Sequence, residues 1–199
     1  MLISILRHGK TSYNLKKILQ GKSDIPMNQE GIQEVKLASV ELANFYDKKN
    51  AKKIKIFCST LIRCRQSLEI VINEIEKLNI KTDISFDNRL EEMNFGDWEG
   101  KNKNNIPDYQ LKNRSKNLWT YVIPGGESYQ MVYSRVKKFY EENLTNTSHE
   151  YILIIGHEKT CQCIDALINN IPPEDLFEIK YINGEIKNYE PRIFKNKIS

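Results

Sequence analysis

Three short apolar runs constrain this chain more than anything else in it: ISIL at 3–6, IKIFC at 54–58 and YILII at 151–155. They read as strands apolar on both faces, which is the condition of strands inside a parallel sheet covered on two sides. Between them the apolar period changes. Val35, Ala38, Leu42 and Phe45 recur at helical spacing, as do Leu61, Cys64, Leu68, Val71, Ile75 and Leu78, so helices are predicted over 29–46 and 60–78. Two more are predicted over 127–143 and 159–169. Asn28 and either Ser59 or Thr60 stand where helix N-caps belong. Near the end, Asn183-Gly184 between FEIKYI (177–182) and EIKNYEP (185–191) predicts a hairpin, which makes one late strand antiparallel. Residues 100–126 lack periodicity and end at Pro124-Gly125-Gly126; a partly helical excursion over the active face is expected there. The fold class is α/β, a mostly parallel central sheet with one antiparallel edge strand.

The 199 residues suit a single domain over 1–199. Lys and Arg number 30 against 26 Asp and Glu, a net charge of +4. The densest basic run, DKKNAKKIK at 47–55, falls at a helix-to-strand handover and reads as a solvated turn, so no nucleic-acid partner is expected. Arg7 and His8 break the first apolar run well short of the roughly 7–15 residues of a secretory core. The longest apolar run is far below the roughly 18 residues of a membrane span. A cytoplasmic protein with no membrane partner is the expectation. Cys58, Cys64, Cys161 and Cys163 lack a zinc-type spacing and are read as reduced, packed thiols, with no metal.

In open α/β sheets ligands sit beyond the carboxyl ends of the strands, and polar residues collect there in this chain. Strand 3–6 delivers Arg7 and His8, strand 54–58 leads through Ser59 to Arg63, and strand 151–155 leads through Gly156 to His157. Two histidines with two arginines suit phosphoryl transfer. Guanidiniums bind phosphate oxygens through paired charge-assisted hydrogen bonds, and a neutral imidazole can attack phosphorus without a metal. The Arg7 charge beside His8 opposes protonation of the ring and also holds the electrophile. A proton for the leaving oxygen can come from RLEEMNFGDWEG at 89–100, where Glu91, Glu92, Asp97 and Glu99 all compete.

The blocks LRHGKTSYN with QGKSDIPMNQEGIQE, STLIRCRQS (59–67), LEEMNFGDWEG (90–100), PGGES (124–128) and LIIGHE (153–158), in this order, resemble the histidine phosphatase superfamily, the phosphoglycerate mutase-like fold. The resemblance implies a three-layer α/β/α sandwich. It makes His8 the nucleophile that becomes a phosphohistidine, and gives Arg7, Arg63 and His157 the phosphoryl oxygens. It selects Glu92 as the acid and later the base for water. Asn14 adds a phosphate hydrogen bond, Gln20 and Gly21 line the pocket, and Glu127 and Ser128 fall on a loop that closes over it. No cofactor is implied. Glu158, after the second histidine, departs from the small residue usual there; it either faces solvent or marks a substrate bearing a positive group.

Only residues 101–123 separate Gly100 from Pro124, whereas mutases resembling this fold carry a longer insertion, so a phosphatase is expected. GDWEG resembles the α-ribazole phosphatase and broad-specificity phosphatase branch. The expected activity is metal-independent hydrolysis of a small phosphomonoester, α-ribazole phosphate among the candidates. The alternatives are a cofactor-dependent phosphoglycerate mutase and an inactive phosphate-binding or scaffolding protein. Tyr109, Trp119 and Tyr121 are candidates for stacking on a substrate ring, and Lys101, Lys103, Lys112 and Arg114 for holding a second anionic group. Oligomeric state is open, a homodimer included.

Overall fold

The computed structural model describes residues 1–145 and 147–190. In chain order the elements are β1 (Leu2–Arg7), α1 (Ser12–Leu15), α2 (Gln29–Lys48), β2 (Lys53–Cys58), α3 (Ile62–Glu76), β3 (Lys81–Phe86), α4 (Asp108–Lys116), α5 (Tyr129–Asn143), β4 (Tyr151–Gly156), α6 (Glu158–Asn169) and β5 (Ile186–Tyr189). The sheet order is β3-β2-β4-β1-β5, parallel except where β5 runs against β1. Alternate strand residues serve opposite faces. Leu2, Leu6, Ile54, Ile56, Leu153 and Ile155 pack with α2 and α3, whereas Ile3, Ile5, Phe57, Ile152 and Ile154 pack with α5 and α6. Both faces are therefore covered, which is why the three runs carry no polar alternation. The result is a three-layer α/β/α sandwich.

Chain order and sheet order together place the site. The chain leaves β1 through α2 on one face and leaves the adjacent β4 through α6 on the other, so a crevice opens between their carboxyl ends. The β1–β4 register pairs Arg7 with Gly156, and His8 N–H continues the ladder to Gly156 O at 3.1 Å. One step further, the two histidines stand side by side.

The structure corrects three sequence expectations. Helix α3 is capped by neither Ser59 nor Thr60. Its N-cap is Leu61, with no side-chain cap bond, while the Thr60 hydroxyl is drawn off to Glu91. Asn28 does cap α2, accepting from Gly31 N–H at 2.8 Å. The predicted hairpin is absent. Pro172 and Pro173 open a 3-10 turn over Pro173–Glu178, and β5 pairs with β1 instead of with 177–182; Pro191, the end of the predicted second arm, lies outside the described residues. The Asn183-Gly184 turn still has a task, because Gly184 N–H donates to Arg7 O and His8 O and Asn183 Nδ2 donates to His8 O, tying that turn to the end of β1. Finally, β3 was not expected. It is an edge strand whose Ile84 and Phe86 stay exposed, so its sequence lacks a buried strand's apolar density. The 100–126 excursion holds a 3-10 turn and α4. Among the described residues no helix is long and apolar enough to cross a membrane.

Candidate active site

At the carboxyl ends of β1 and β4 a cavity of about 210 Å³ is lined by Arg7, His8, Asn14, Gln20, Arg63 and Glu92, with Gly21, Glu158 and Lys159 at its margins. Residues 7 and 92 are far apart in sequence and meet because Arg7 ends β1 while Glu92 is held by the first turn of α6, which follows the adjacent β4. His8 is 2% exposed, and its Nδ1 lies 2.7 Å from Gly9 O. A carbonyl only accepts, so Nδ1 carries the proton and Nε2 keeps its lone pair. Burial first, then the charges of Arg63 and Arg7, holds the His8 pKa well below its ordinary value. The ring is therefore neutral at neutral pH. Gly9 leaves no room for a side chain, since a Cβ there would come 2.2 Å from Gly31 O; this close approach seats the start of α2 against the His8 loop.

Arg63 is fully buried, and three backbone and ring acceptors fix its plane. Nε donates to His157 Nδ1 at 3.2 Å, Nη1 to Ser23 O at 2.7 Å and Nη2 to Gly21 O at 2.8 Å. Each terminal nitrogen keeps a second N–H for a ligand. His157, expected among the phosphate ligands, is wholly buried, is not among the residues lining the cavity, and has both ring nitrogens engaged. Its Nδ1 accepts from Arg63, so Nε2 bears the proton and donates to Ser59 Oγ at 2.8 Å. The two imidazoles lie 5.1 Å apart, edge to face. Burial first, then Arg63 and His8, lowers the His157 pKa well below its ordinary value too. Cys64 Sγ lies 3.4 Å from His157 Nε2, but burial pushes the thiol up to about 12, so it is no nucleophile at neutral pH.

Asn14 Oδ1 accepts from Thr11 N–H at 3.0 Å and lies equally close to the buried Thr11 hydroxyl, which is 2.9 Å from Gln20 Oε1. With both amide oxygens turned to Thr11, the amide nitrogens of Asn14 and Gln20 are the ends left for an anion. Thr11 was not singled out in the sequence; its place three residues after a strand-end histidine is the only signal it carries. Gly21 sits at φ +54°, and a Cβ there would fall 1.9 Å from Glu99 Oε1.

Of the four competing carboxylates only Glu92 lines the cavity. Its Oε1 accepts from Met93 N–H at 2.8 Å and from Lys159 N–H, in the first turn of α6, at 3.3 Å, which leaves Oε2 without a partner among the described residues. Glu91 is tied to Thr60 and Lys22, and Glu99 braces the Lys22–Ser23 backbone and Phe95 N–H. Glu127 does not close over the pocket. It holds Asn94 N–H and Arg135, and Ser128 caps α5. Glu158 does not simply face solvent: its carboxylate is 33% exposed and bridges Arg7 Nη1 at 3.1 Å and Lys159 Nζ at 2.6 Å. Burial would raise its pKa, but Lys159 and Arg7 hold it below the ordinary carboxylate value.

A parallel sheet with histidines and arginines gathered at a crevice between strand carboxyl ends defines an α/β enzyme acting at its topological switch point. Residues 3–196 match the model of the histidine phosphatase superfamily (branch 1); the chain belongs to that superfamily and is a phosphatase-class enzyme. It is 27% identical over 194 residues to a 2,3-bisphosphoglycerate-dependent phosphoglycerate mutase of Cytophaga hutchinsonii, covering 95% of this chain and 87% of that one. It is 33% identical over 144 residues to the fructose-2,6-bisphosphatase TIGAR of Xenopus tropicalis, covering 70% of this chain but only 48% of that protein, about half its length. Among solved structures, the α-ribazole phosphatase from Shigella flexneri superposes with a TM-score of 0.77 at 22% identity, over 94% of this chain and 89% of that one.

Proposed function

We propose that this chain hydrolyses small phosphomonoesters through a phosphohistidine on His8. One observation carries the reading: a neutral imidazole whose Nδ1–H is committed to Gly9 O presents the Nε2 lone pair to a cavity walled by Arg7 and Arg63. Nε2 attacks phosphorus and the P–O bond to the leaving alkoxide breaks. The arginine N–H groups and the Asn14 amide take the charge on the non-bridging oxygens. Glu92 gives its proton to the leaving oxygen, then takes one from the water that attacks the phosphohistidine, releasing phosphate and restoring His8. His157 acts through Arg63, whose Nε it anchors, and not through the substrate. The charge on phosphate is met by guanidiniums, so the step is written without a divalent ion or other cofactor.

Rapid quenching in base of enzyme mixed with ³²P-labelled phosphomonoester tests this. The label is expected on the His8 peptide, stable to base and labile to acid. His8→Asn is expected to lose the label and at least about 10³-fold in p-nitrophenyl phosphate turnover. Wild-type turnover should survive excess EDTA. An unlabelled wild-type enzyme that nevertheless turns over, or an active His8→Asn, removes the mechanism.

The likeness to a phosphoglycerate mutase supports a second reading, transfer back to a second oxygen of the same molecule. It predicts interconversion of 3- and 2-phosphoglycerate stimulated by the bisphosphate. The short 101–123 stretch, which leaves water a way to the phosphohistidine, favours hydrolysis. A panel of phosphomonoesters that includes α-ribazole phosphate, sugar phosphates and phosphoglycerates would rank the substrates.

A further inference from the structure

Beyond the Glu158–Lys159 pair lies a second cavity, of about 450 Å³, that the phosphate chemistry leaves unused. Its size is that of a small-molecule site. Aromatic side chains wall it: Tyr129 meets Phe177 edge to face at 4.7 Å, and Tyr181 adds a third ring. Tyr181 also joins the cavity to the catalytic end, because its carbonyl accepts from Arg7 Nη1.

Arg114 enters from α4. Its guanidinium stands 5.7 Å from the Trp98 ring centroid and 5.5 Å from that of Tyr129. With rings against its faces, its N–H edge is what it can offer. No carboxylate pairs with it among the described residues, and its Nε is buried without a hydrogen bond. Lys180 lines the same cavity from an exposed position, also without an acidic partner among the described residues. Counting Lys159, three cations face one carboxylate, and that carboxylate, Glu158, is already shared by Arg7 and Lys159. Of the loop cations suggested by the sequence, Arg114 alone lines this cavity; Lys101, Lys103 and Lys112 do not, and neither do Tyr109, Trp119 and Tyr121.

Gln162 supplies an independent sign of a ligand. It is 4% exposed in the cavity wall, its Nε2 donates to Ile179 O at 2.6 Å, and its Oε1 has no partner among the described residues. A buried acceptor left unpaired costs roughly 1–3 kcal/mol, a cost that a ligand donor would remove.

We infer that this cavity receives the organic part of the phosphomonoester, and that the part it takes is a flat ring carrying a second anionic group, with an N–H or O–H donor within reach of Gln162. The inference rests on the reading that phosphate binds at His8. The ring packs among Tyr129, Phe177 and Tyr181, the distal anion meets Arg114 and Lys180, and Glu158 with Lys159 forms the wall between the two ends.

Phosphonates test it without turnover, because their P–C bond is not cleaved. Calorimetric titration of benzylphosphonate and 4-carboxybenzylphosphonate into the wild-type protein is expected to give about tenfold tighter binding of the carboxylate compound. That ratio should fall to about twofold or less in Arg114→Gln/Lys180→Gln, and partway in Lys180→Gln, an exposed change that the fold tolerates. It should persist in Lys103→Gln/Lys112→Gln, which removes the same charge elsewhere. Equal affinities in the wild type, a ratio retained in Arg114→Gln/Lys180→Gln, or a ratio lost equally in Lys103→Gln/Lys112→Gln overturns the inference. A tenfold ratio in a protein that forms no phosphohistidine leaves this site standing and sinks the proposed reaction instead.

Discussion

The two cavities that meet at Glu158 are built differently. Around His8 several key groups are held by fixed partners, Nδ1 by Gly9 O, Arg63 by Gly21, Ser23 and His157, Asn14 and Gln20 by Thr11, while Arg7 Nε and Glu92 Oε2 have none among the described residues. Gly9 and His157 follow the ends of β1 and β4, and Gly21 and Ser23 belong to the loop between α1 and α2, so sheet and loop backbone together fix the site. Around Arg114 fewer groups are held by backbone. Side chains come separately from α4, α5, α6 and the stretch 177–182, and Arg114 Nε and Gln162 Oε1 have no partner among the described residues. A site held largely by backbone atoms can keep one chemistry, while a site made of separate side chains can change its ligand without disturbing the fold.

Arg63→Lys should break this contrast hardest. An ammonium cannot reproduce a planar fork held by three acceptors, so His157, Gly21 and Ser23 all lose a partner at once. The expected loss is about 10²–10³-fold in kcat/KM for p-nitrophenyl phosphate, carried mainly by kcat. The same exchange at Arg114 should cost roughly tenfold or less and show only in substrates with a distal anion. Equal losses at both positions on a substrate without such an anion would erase the distinction.

The pH dependence of folding sharpens it. His8 and His157 both have pKa values well below ordinary, chiefly through burial. Above about pH 6.5 neither the folded nor the unfolded chain protonates them, and they contribute nothing to the slope. As pH falls through 6.5 the unfolded chain gains protons that the folded chain refuses, so stability drops by up to about 1.4 kcal/mol per histidine per pH unit. Urea midpoints measured from pH 7.5 to 5.5 should fall on acidification, and His8→Asn should remove about half of this part of the slope. A wild-type midpoint that rises on acidification would contradict the buried, neutral rings.

The sequence showed the committed half of the molecule well, for a physical reason. A strand buried on both faces must be apolar throughout, so β1, β2 and β4 and the residues at their ends stood out together. Edge strand β3 is paired on one side and half exposed, so KTDISF carries no such signature. The Asn-Gly turn misled because turn chemistry is local, whereas pairing depends on which edge is free; β1 offered its open edge to 186–189 and two prolines tightened the preceding segment. His157 was legible as a residue but not as a hydrogen-bond partner of Arg63, since side-chain direction is fixed by neighbours 94 and 98 positions away in sequence. Glu92 could be separated from its three acidic neighbours only by resemblance, because spacing says nothing about which carboxylate the α6 amide at Lys159 will hold.

The smallest effect is expected at the boundary, where Glu158 holds Arg7 Nη1 at 3.1 Å and Lys159 Nζ at 2.6 Å. A phosphate arriving at His8 must share Arg7 with that carboxylate, and the two anions repel. Glu158→Gln keeps the shape and removes the charge, freeing both cations for the ligand. The carboxylate is a third exposed, so screening keeps the gain modest. KM for p-nitrophenyl phosphate should fall about two- to fourfold at low salt with kcat little changed, and the difference should shrink toward 0.5 M salt. A KM that rises instead would mean that Glu158 positions Arg7 for the phosphate, and the wall between the cavities would then belong to the committed side.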